Sequence, residues 1–220
     1  MTSERSAQPA LAVRDLRFRY GKAGEELFDG MSHEFERGGL TALTGPSGRG
    51  KSTLLYVLGL LLTPTSGFVL VDGADAGGRP DRERSSLRAA RIGFVFQDAE
   101  LDPARTVLDS VIEPGLYAGG TVASLRPRAL ALLERFGLDH RASHRPGQIS
   151  GGQAQRVAVC RALINAPDIV LADEPTGNLD RDNATLVLDA LADIATGGNT
   201  VIVATHDPFV LERTDVQVRL

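Results

Sequence analysis

Gly45-Pro46-Ser47-Gly48-Arg49-Gly50-Lys51-Ser52 fits the pattern G-x-x-x-x-G-K-[ST], the spacing of a loop that wraps phosphate. Glycines there let consecutive backbone N–H groups turn inward around phosphate oxygens, where a side chain would obstruct them. A helix opening near Lys51, with Ser52 and Thr53 in its first turn, would add its positive N-terminal end. Lys51 would reach the β- and γ-phosphates, and the Ser52 hydroxyl would ligate Mg²⁺. Of the 24 basic residues 22 are Arg, so a Lys at this position marks a place where a compact ammonium fits and a planar guanidinium does not. Alone, the loop suits kinases, GTPases and ATPases equally.

Asp168-Ile169-Val170-Leu171-Ala172-Asp173-Glu174 narrows the field, because it is an apolar strand ending in adjacent carboxylates. Strand neighbours point to opposite faces, but at a strand's end the chain turns and both can approach one site. Asp173 suits the Mg²⁺ shell, and Glu174 suits orienting and deprotonating a water. Ser150-Gly151-Gly152-Gln153 then supplies an N-cap and two glycines at a helix start, a second cradle for an anion. One nucleotide needs only one cradle, so each is expected to complete a site with the other on a second copy.

The elements that must carry these residues alternate. Leu11 to Tyr20 reads as a strand with one wet face, Leu40 to Leu43 as a short strand entering the glycine loop, and Lys51 to Leu62 as a buried helix. Phe68 to Val71, Ile92 to Phe96, Ile169 to Ala172 and Thr200 to Thr205 read as further strands, with a helix near Asp182 to Ala195. Between residues 98 and 150 the pattern turns helical. Leu125, Ala129, Leu132, Leu133 and Phe136 share a face before Gly137, and Thr106 with Asp109 opens a helix that Pro114 is expected to end. The alternation predicts an α/β fold with a mostly parallel sheet.

With 220 residues, 42% hydrophobic and 24% charged, the chain is ordinary globular material. A net charge of −4 argues against nucleic acid as the main ligand. The longest apolar run, Leu54 to Leu62, falls short of the roughly 20 residues that span a bilayer. The first dozen residues hold no apolar run that would serve as a signal peptide, and the lone Cys160 can form no internal disulfide. Both point to a cytosolic protein. Cys160 lies among apolar neighbours and reads as packing. His33, His140 and His144 lack ligand spacing, and the arginines from Arg79 to Arg91 read as a solvated face.

Gln148-Ile149-Ser150-Gly151-Gly152-Gln153, together with the loop and the paired acids, resembles the nucleotide-binding subunit of ATP-binding-cassette (ABC) transporters over nearly the whole chain, with Ile149 where Leu is usual. The resemblance implies a RecA-like P-loop NTPase fold with a mostly parallel core sheet, an N-terminal antiparallel β-subdomain and an inserted helical subdomain. The corresponding division is 1–97, 98–154 and 155–220. It implies that Tyr20 stacks on adenine, Gln97 links Mg²⁺ and the attacking water, Asp180 closes the loop after the acids, and His206 touches the γ-phosphate. Arg49 stands where the family more often has a small residue. Phe94-Val95-Phe96-Gln97 and Asp173-Glu174-Pro175-Thr176-Gly177-Asn178-Leu179-Asp180 resemble the branch of lipoprotein-releasing, macrolide- or peptide-exporting and cell-division ATPases. The implied protein hydrolyses MgATP between two head-to-tail copies and drives a separate transmembrane permease, docked near residues 98 to about 105, for export or extraction. It would sit on the inner face of the cell membrane through that partner. The alternative is a regulatory ATPase that passes a mechanical signal to a membrane or cell-wall partner without moving solute.

Overall fold

The computed structural model describes residues 8–21, 24–46 and 48–220. Its core is a five-stranded sheet in the order β6-β7-β8-β3-β9, with every neighbouring pair parallel. The strands are β3 (Leu40–Thr44), β6 (Ile92–Val95), β7 (Ile169–Asp173), β8 (Thr200–Ala204) and β9 (Val216–Arg219). β7 and β8 are buried along their whole length, and their sequences IVLAD and TVIVA are correspondingly almost all apolar. Alternate residues feed two cores. Val170, Ala172, Val201 and Val203 face the helical side, while Ile169, Leu171, Ile202 and Ala204 face a core shared with helix α1 (Lys51–Leu58).

A second, antiparallel sheet has the order β2-β1-β4-β5, formed by β1 (Leu11–Arg19), β2 (Glu26–Phe35), β4 (Ser66–Val71) and β5 (Ala74–Asp75). Its inner residues Leu11, Val13, Leu16, Phe35 and Val69 close over α1. Arg91 pins the two sheets, pairing with Asp72 beyond β4 and with Asp168 before β7, while Arg37 also pairs with Asp72. Helix α2 (Asp81–Arg91) leads into β6.

The helical segment contains α3 (Val107–Tyr117) and α4 (Val122–Arg135), packed against α5 (Gly151–Leu163). α6 (Arg181–Thr196) lies against the core sheet, and the one-turn α7 (Pro208–Leu211) precedes β9. The end of α4 follows its sequence. Gly137 takes φ 64°, its N–H bonds the Glu134 carbonyl and that of Leu138 bonds the Leu133 carbonyl, closing the last turn.

Several expectations are corrected. α1 ends at Leu58 and not at Leu62, because Leu60 turns to φ 58° and the N–H groups of Leu61 and Leu62 return to the Tyr56 carbonyl. Pro114 does not end α3. The buried face of Val107, Val111 and Ile112 holds the helix, and the carbonyls of Pro114 and Gly115 still accept from Ala118 and Gly120. The arginines of residues 79–91 are only partly a solvated face: Arg88 donates to the Leu60 carbonyl at 2.6 Å, Arg84 to Thr63 at 2.5 Å, and Arg91 forms the inter-sheet pin. The division at residue 154 falls inside α5, which is one continuous helix from residue 151 to 163.

Candidate nucleotide site

The C-terminal ends of three adjacent core strands meet at one edge. Leu43 and Asp173 both pair with Ala204, which sets the glycine loop after β3, the acids ending β7 and the segment after β8 level with one another. The row continues past the strands, with Thr205 N–H donating to the Leu43 carbonyl and Glu174 N–H to that of Ala204. In open α/β sheets this edge is where ligands bind. Here it opens into a cleft of about 560 Å³ lined by Tyr20, Lys51, Ser52, Thr53, Gln97, Asp173, Glu174 and His206, with Gly48 and Gly50 at the loop.

The loop's shape depends on residues without a Cβ. Gly45 has φ 137° and a Cβ there would lie 2.7 Å from the Leu220 carbonyl oxygen; Gly50 has φ 94° and caps α1. Lys51 Nζ donates to the carbonyls of Gly45 (2.8 Å) and Pro46 (3.2 Å), so these two residues position the ammonium without lining the cleft. Ser47 lies outside the described residues. Arg49 lines a neighbouring concavity with Glu25, Glu26, Asp29 and Arg219. Tyr20, 55% exposed at the cleft wall, hydrogen-bonds Thr53 Oγ1 through its hydroxyl at 3.0 Å. That leaves a ring face available at the mouth and ties β1 to α1.

Asp173 is buried, and burial pushes its carboxyl above the ordinary carboxylate range. The neighbouring Glu174 charge pushes the same way, while the Ser52 hydroxyl and the Lys51 charge oppose both. Glu174 takes φ 42°, a left-handed conformation unusual for a residue with a side chain and of the kind that clusters at functional sites. The turn brings its carboxylate beside β8: Thr205 Oγ1 donates to Oε2 at 2.9 Å, and His206 Nδ1 lies 2.6 Å from Oε1. A carboxylate accepts, so Nδ1 carries the proton of that bond. Glu174 is thereby oriented from two sides, its side chain 14% exposed against 76% for His206.

Gln97 is held from α5. Buried Gln155 donates to the Phe96 carbonyl at 3.1 Å, and Arg161 donates to the carbonyls of Ala99 and Glu100 at 2.9 and 2.8 Å. The same helix begins with Ser150, whose Oγ accepts from Gln153 N–H (3.2 Å) while Gln153 Oε1 accepts from Ser150 N–H (2.9 Å). Ser150, Gly151, Gly152 and Gln153 do not line the cleft. Nor does Asp180, which caps α6 by accepting from Asn183 N–H at 2.9 Å. The Asn183 hydrogen bonds hold the Asp180 carboxyl below its usual range.

The cleft's donors are hard oxygens: the Ser52 hydroxyl, the Asp173 carboxylate and the Gln97 amide. Among the described residues no group of three or more His, Cys, Asp or Glu could cage a metal. One carboxylate with a hydroxyl beside a phosphate loop suits Mg²⁺, which keeps waters and phosphate oxygens in its shell. Sequence reasoning passed over Thr205 and Gln155. Thr205 looks like the last residue of an apolar strand, and Gln155 signals itself only as a lone polar residue on a buried helix face.

The family model described as "ABC transporter" matches residues 28–177. The lipoprotein-releasing system ATP-binding protein LolD of Paramagnetospirillum magneticum is 46% identical over 204 residues, covering 92% of this chain and 90% of its own. The macrolide export ATP-binding/permease protein MacB of Brucella melitensis is 43% identical over 209 residues, 94% of this chain and 32% of its own. Among solved structures, the dimeric ATP-binding cassette MJ0796 in a post-hydrolysis state bound to ADP and Pi superposes with a TM-score of 0.88 at 34% identity, covering 96% of this chain and 94% of that one.

Proposed function

The chain belongs to the ABC transporter family, and on that premise we propose that it binds and hydrolyses ATP to drive a separate membrane permease, releasing or exporting a substrate as the names of its relatives indicate. The observation that carries this reading is the common cleft of Lys51, Asp173, Glu174, Gln97 and His206 at one sheet edge. Lys51 and the loop N–H groups hold the phosphates, and Tyr20 offers its ring to adenine. Ser52, Asp173 and Gln97 would hold Mg²⁺, which when bound offsets phosphate charge. Glu174 orients a water on the γ-phosphate and takes its proton, while Thr205 and His206 fix the carboxylate. With Nδ1–H committed to Glu174, His206 donates from Nε2 to a γ-phosphate oxygen only as the doubly protonated ring.

Ser150–Gln153 and Asp180 lie outside this cleft, so we assign them to the cleft of a second copy. Gly152 and Leu179 are close neighbours, which gives the helix start and the Asp180 loop one shared surface for that copy. ATP then joins two protomers through its γ-phosphate, and hydrolysis removes the shared group. Support comes from the dimeric form of the solved cassette it resembles.

The permease is assigned to an apolar groove of about 760 Å³ lined by Leu61, Phe94, Phe96, Pro114 and Tyr117, with Arg82 and Arg161 at its wall. Arg161 also grips residues 99 and 100, at the start of the 98–105 segment. Among the described residues no helix is long and apolar enough to cross a membrane, so attachment to the inner face of the membrane is proposed through this partner. The decisive test is Glu174→Gln, expected to cut turnover roughly 10²-fold or more while ATP binding persists. Normal turnover in that variant would remove Glu174 from the chemistry.

A further inference from the structure

α7 is a single turn of four residues, too short to hold its own position. Yet it follows directly on His206 and Asp207, and the His206 side chain is 76% exposed. Something outside the turn must set where His206 sits. Val210 is its one buried residue; the other anchor is Phe209.

The Arg181 guanidinium carbon lies 4.0 Å from the Phe209 ring centroid and that of Arg213 lies 3.8 Å from it. Two planar cations at that height cannot share one face, so the ring is clasped between them. Arg181 is the first residue of α6, immediately after Asp180, and its Nη1 also approaches Asp207 Oδ2 at 4.0 Å. Asp207 Oδ1 accepts from Phe209 N–H at 2.9 Å, and Asp207 N–H donates to Thr205 Oγ1 at 3.1 Å. Thr205 Oγ1 is the same oxygen that donates to Glu174. The path therefore runs from Asp180 through Arg181, Phe209 and Asp207 to the Glu174–His206 pair.

We propose that Arg181 and Phe209 are positioning residues for His206: their stack ties the start of α6 to the turn after β8 and holds the imidazole against Glu174. The inference rests on the reading of Glu174 and His206 as the hydrolytic pair. Because the stack touches neither the glycine loop nor Tyr20, its loss moves turnover more than nucleotide affinity, to which His206 adds one γ-phosphate contact.

The test is ATPase kinetics of the purified chain with Arg181→Ala, Phe209→Leu, Phe209→Tyr, the double Arg181→Ala/Phe209→Leu, and Glu174→Gln as control. Arg181→Ala and Phe209→Leu are each expected to lower kcat on the order of fivefold with KM for ATP held within about twofold. The double variant should be no worse than the poorer single one, and Phe209→Tyr, which keeps the aromatic face, should restore turnover. Melting temperature should not move for Arg181→Ala, whose side chain is 68% exposed. Unchanged kcat in Arg181→Ala, a parallel rise in KM, additive losses, or Phe209→Tyr as impaired as Phe209→Leu would each overturn the proposal. A Glu174→Gln control that still turned over normally would instead overturn the hydrolytic reading beneath it.

Discussion

Lys51 and Cys160 show how differently one residue can be read from sequence. Lys51 is legible as part of the loop because its contacts are local: the ammonium is held by carbonyls five and six residues back, within the motif itself. Lys51→Ala is expected to weaken ATP binding directly, measurable with a labelled nucleotide, whereas an unchanged affinity would detach the loop from the phosphates. Cys160 reads as packing, and the structure agrees: it is fully buried, Sγ lies 3.5 Å from the Leu132 carbonyl, and burial pushes the thiol from 9.0 up to about 12. Since only the thiolate reacts, the native protein should resist alkylation by iodoacetamide at pH 8 and react once unfolded in denaturant. The folded state keeps this proton longer than the unfolded chain. Its contribution to stability is therefore complete below the unfolded value and declines as pH rises from about 9. Thr205 and Gln155 were not legible, since both act on residues distant in sequence, Glu174 and Phe96.

Elements were legible where one periodicity ran unbroken. β7 and β8 announce themselves as continuous apolar runs, and α5 by its cap and buried face. β2 does not, because Phe28, Asp29 and Gly30 all take positive φ and the register against β1 shifts, which destroys the alternation of a strand. α2 was hidden because its sequence is mostly charged, with no buried residue, and its place is fixed by arginine contacts to Leu60, Asp72 and Asp168. α5 carries both the Ser150 cap, proposed to face a second copy, at its start and the grip on residues 96–100 along its length. Gln155→Leu leaves the Phe96 carbonyl unpaired and is expected to cost about 1–3 kcal/mol in denaturant unfolding. It should also lower turnover by loosening Gln97; a variant with native stability and rate would show that the grip is incidental.

At the scale of the molecule, the two concavities divide the labour proposed for it. The cleft with the ionisable groups holds the nucleotide, and the larger apolar groove takes the membrane partner. Leu61 and Tyr117 are 42% and 75% exposed at the groove, so Leu61→Glu with Tyr117→Glu should abolish co-purification of the permease while basal ATPase persists. Retained co-purification would move the docking site elsewhere. Ser150–Gln153 and Asp180 are left outside the cleft, and their proposed ligand lies on another copy. ATPase rate per protomer should accordingly be measured over a wide dilution series, with sedimentation recording the oligomer. The specific rate is expected to collapse as dimers dissociate. A rate per protomer that stays constant where only monomer sediments would contradict it.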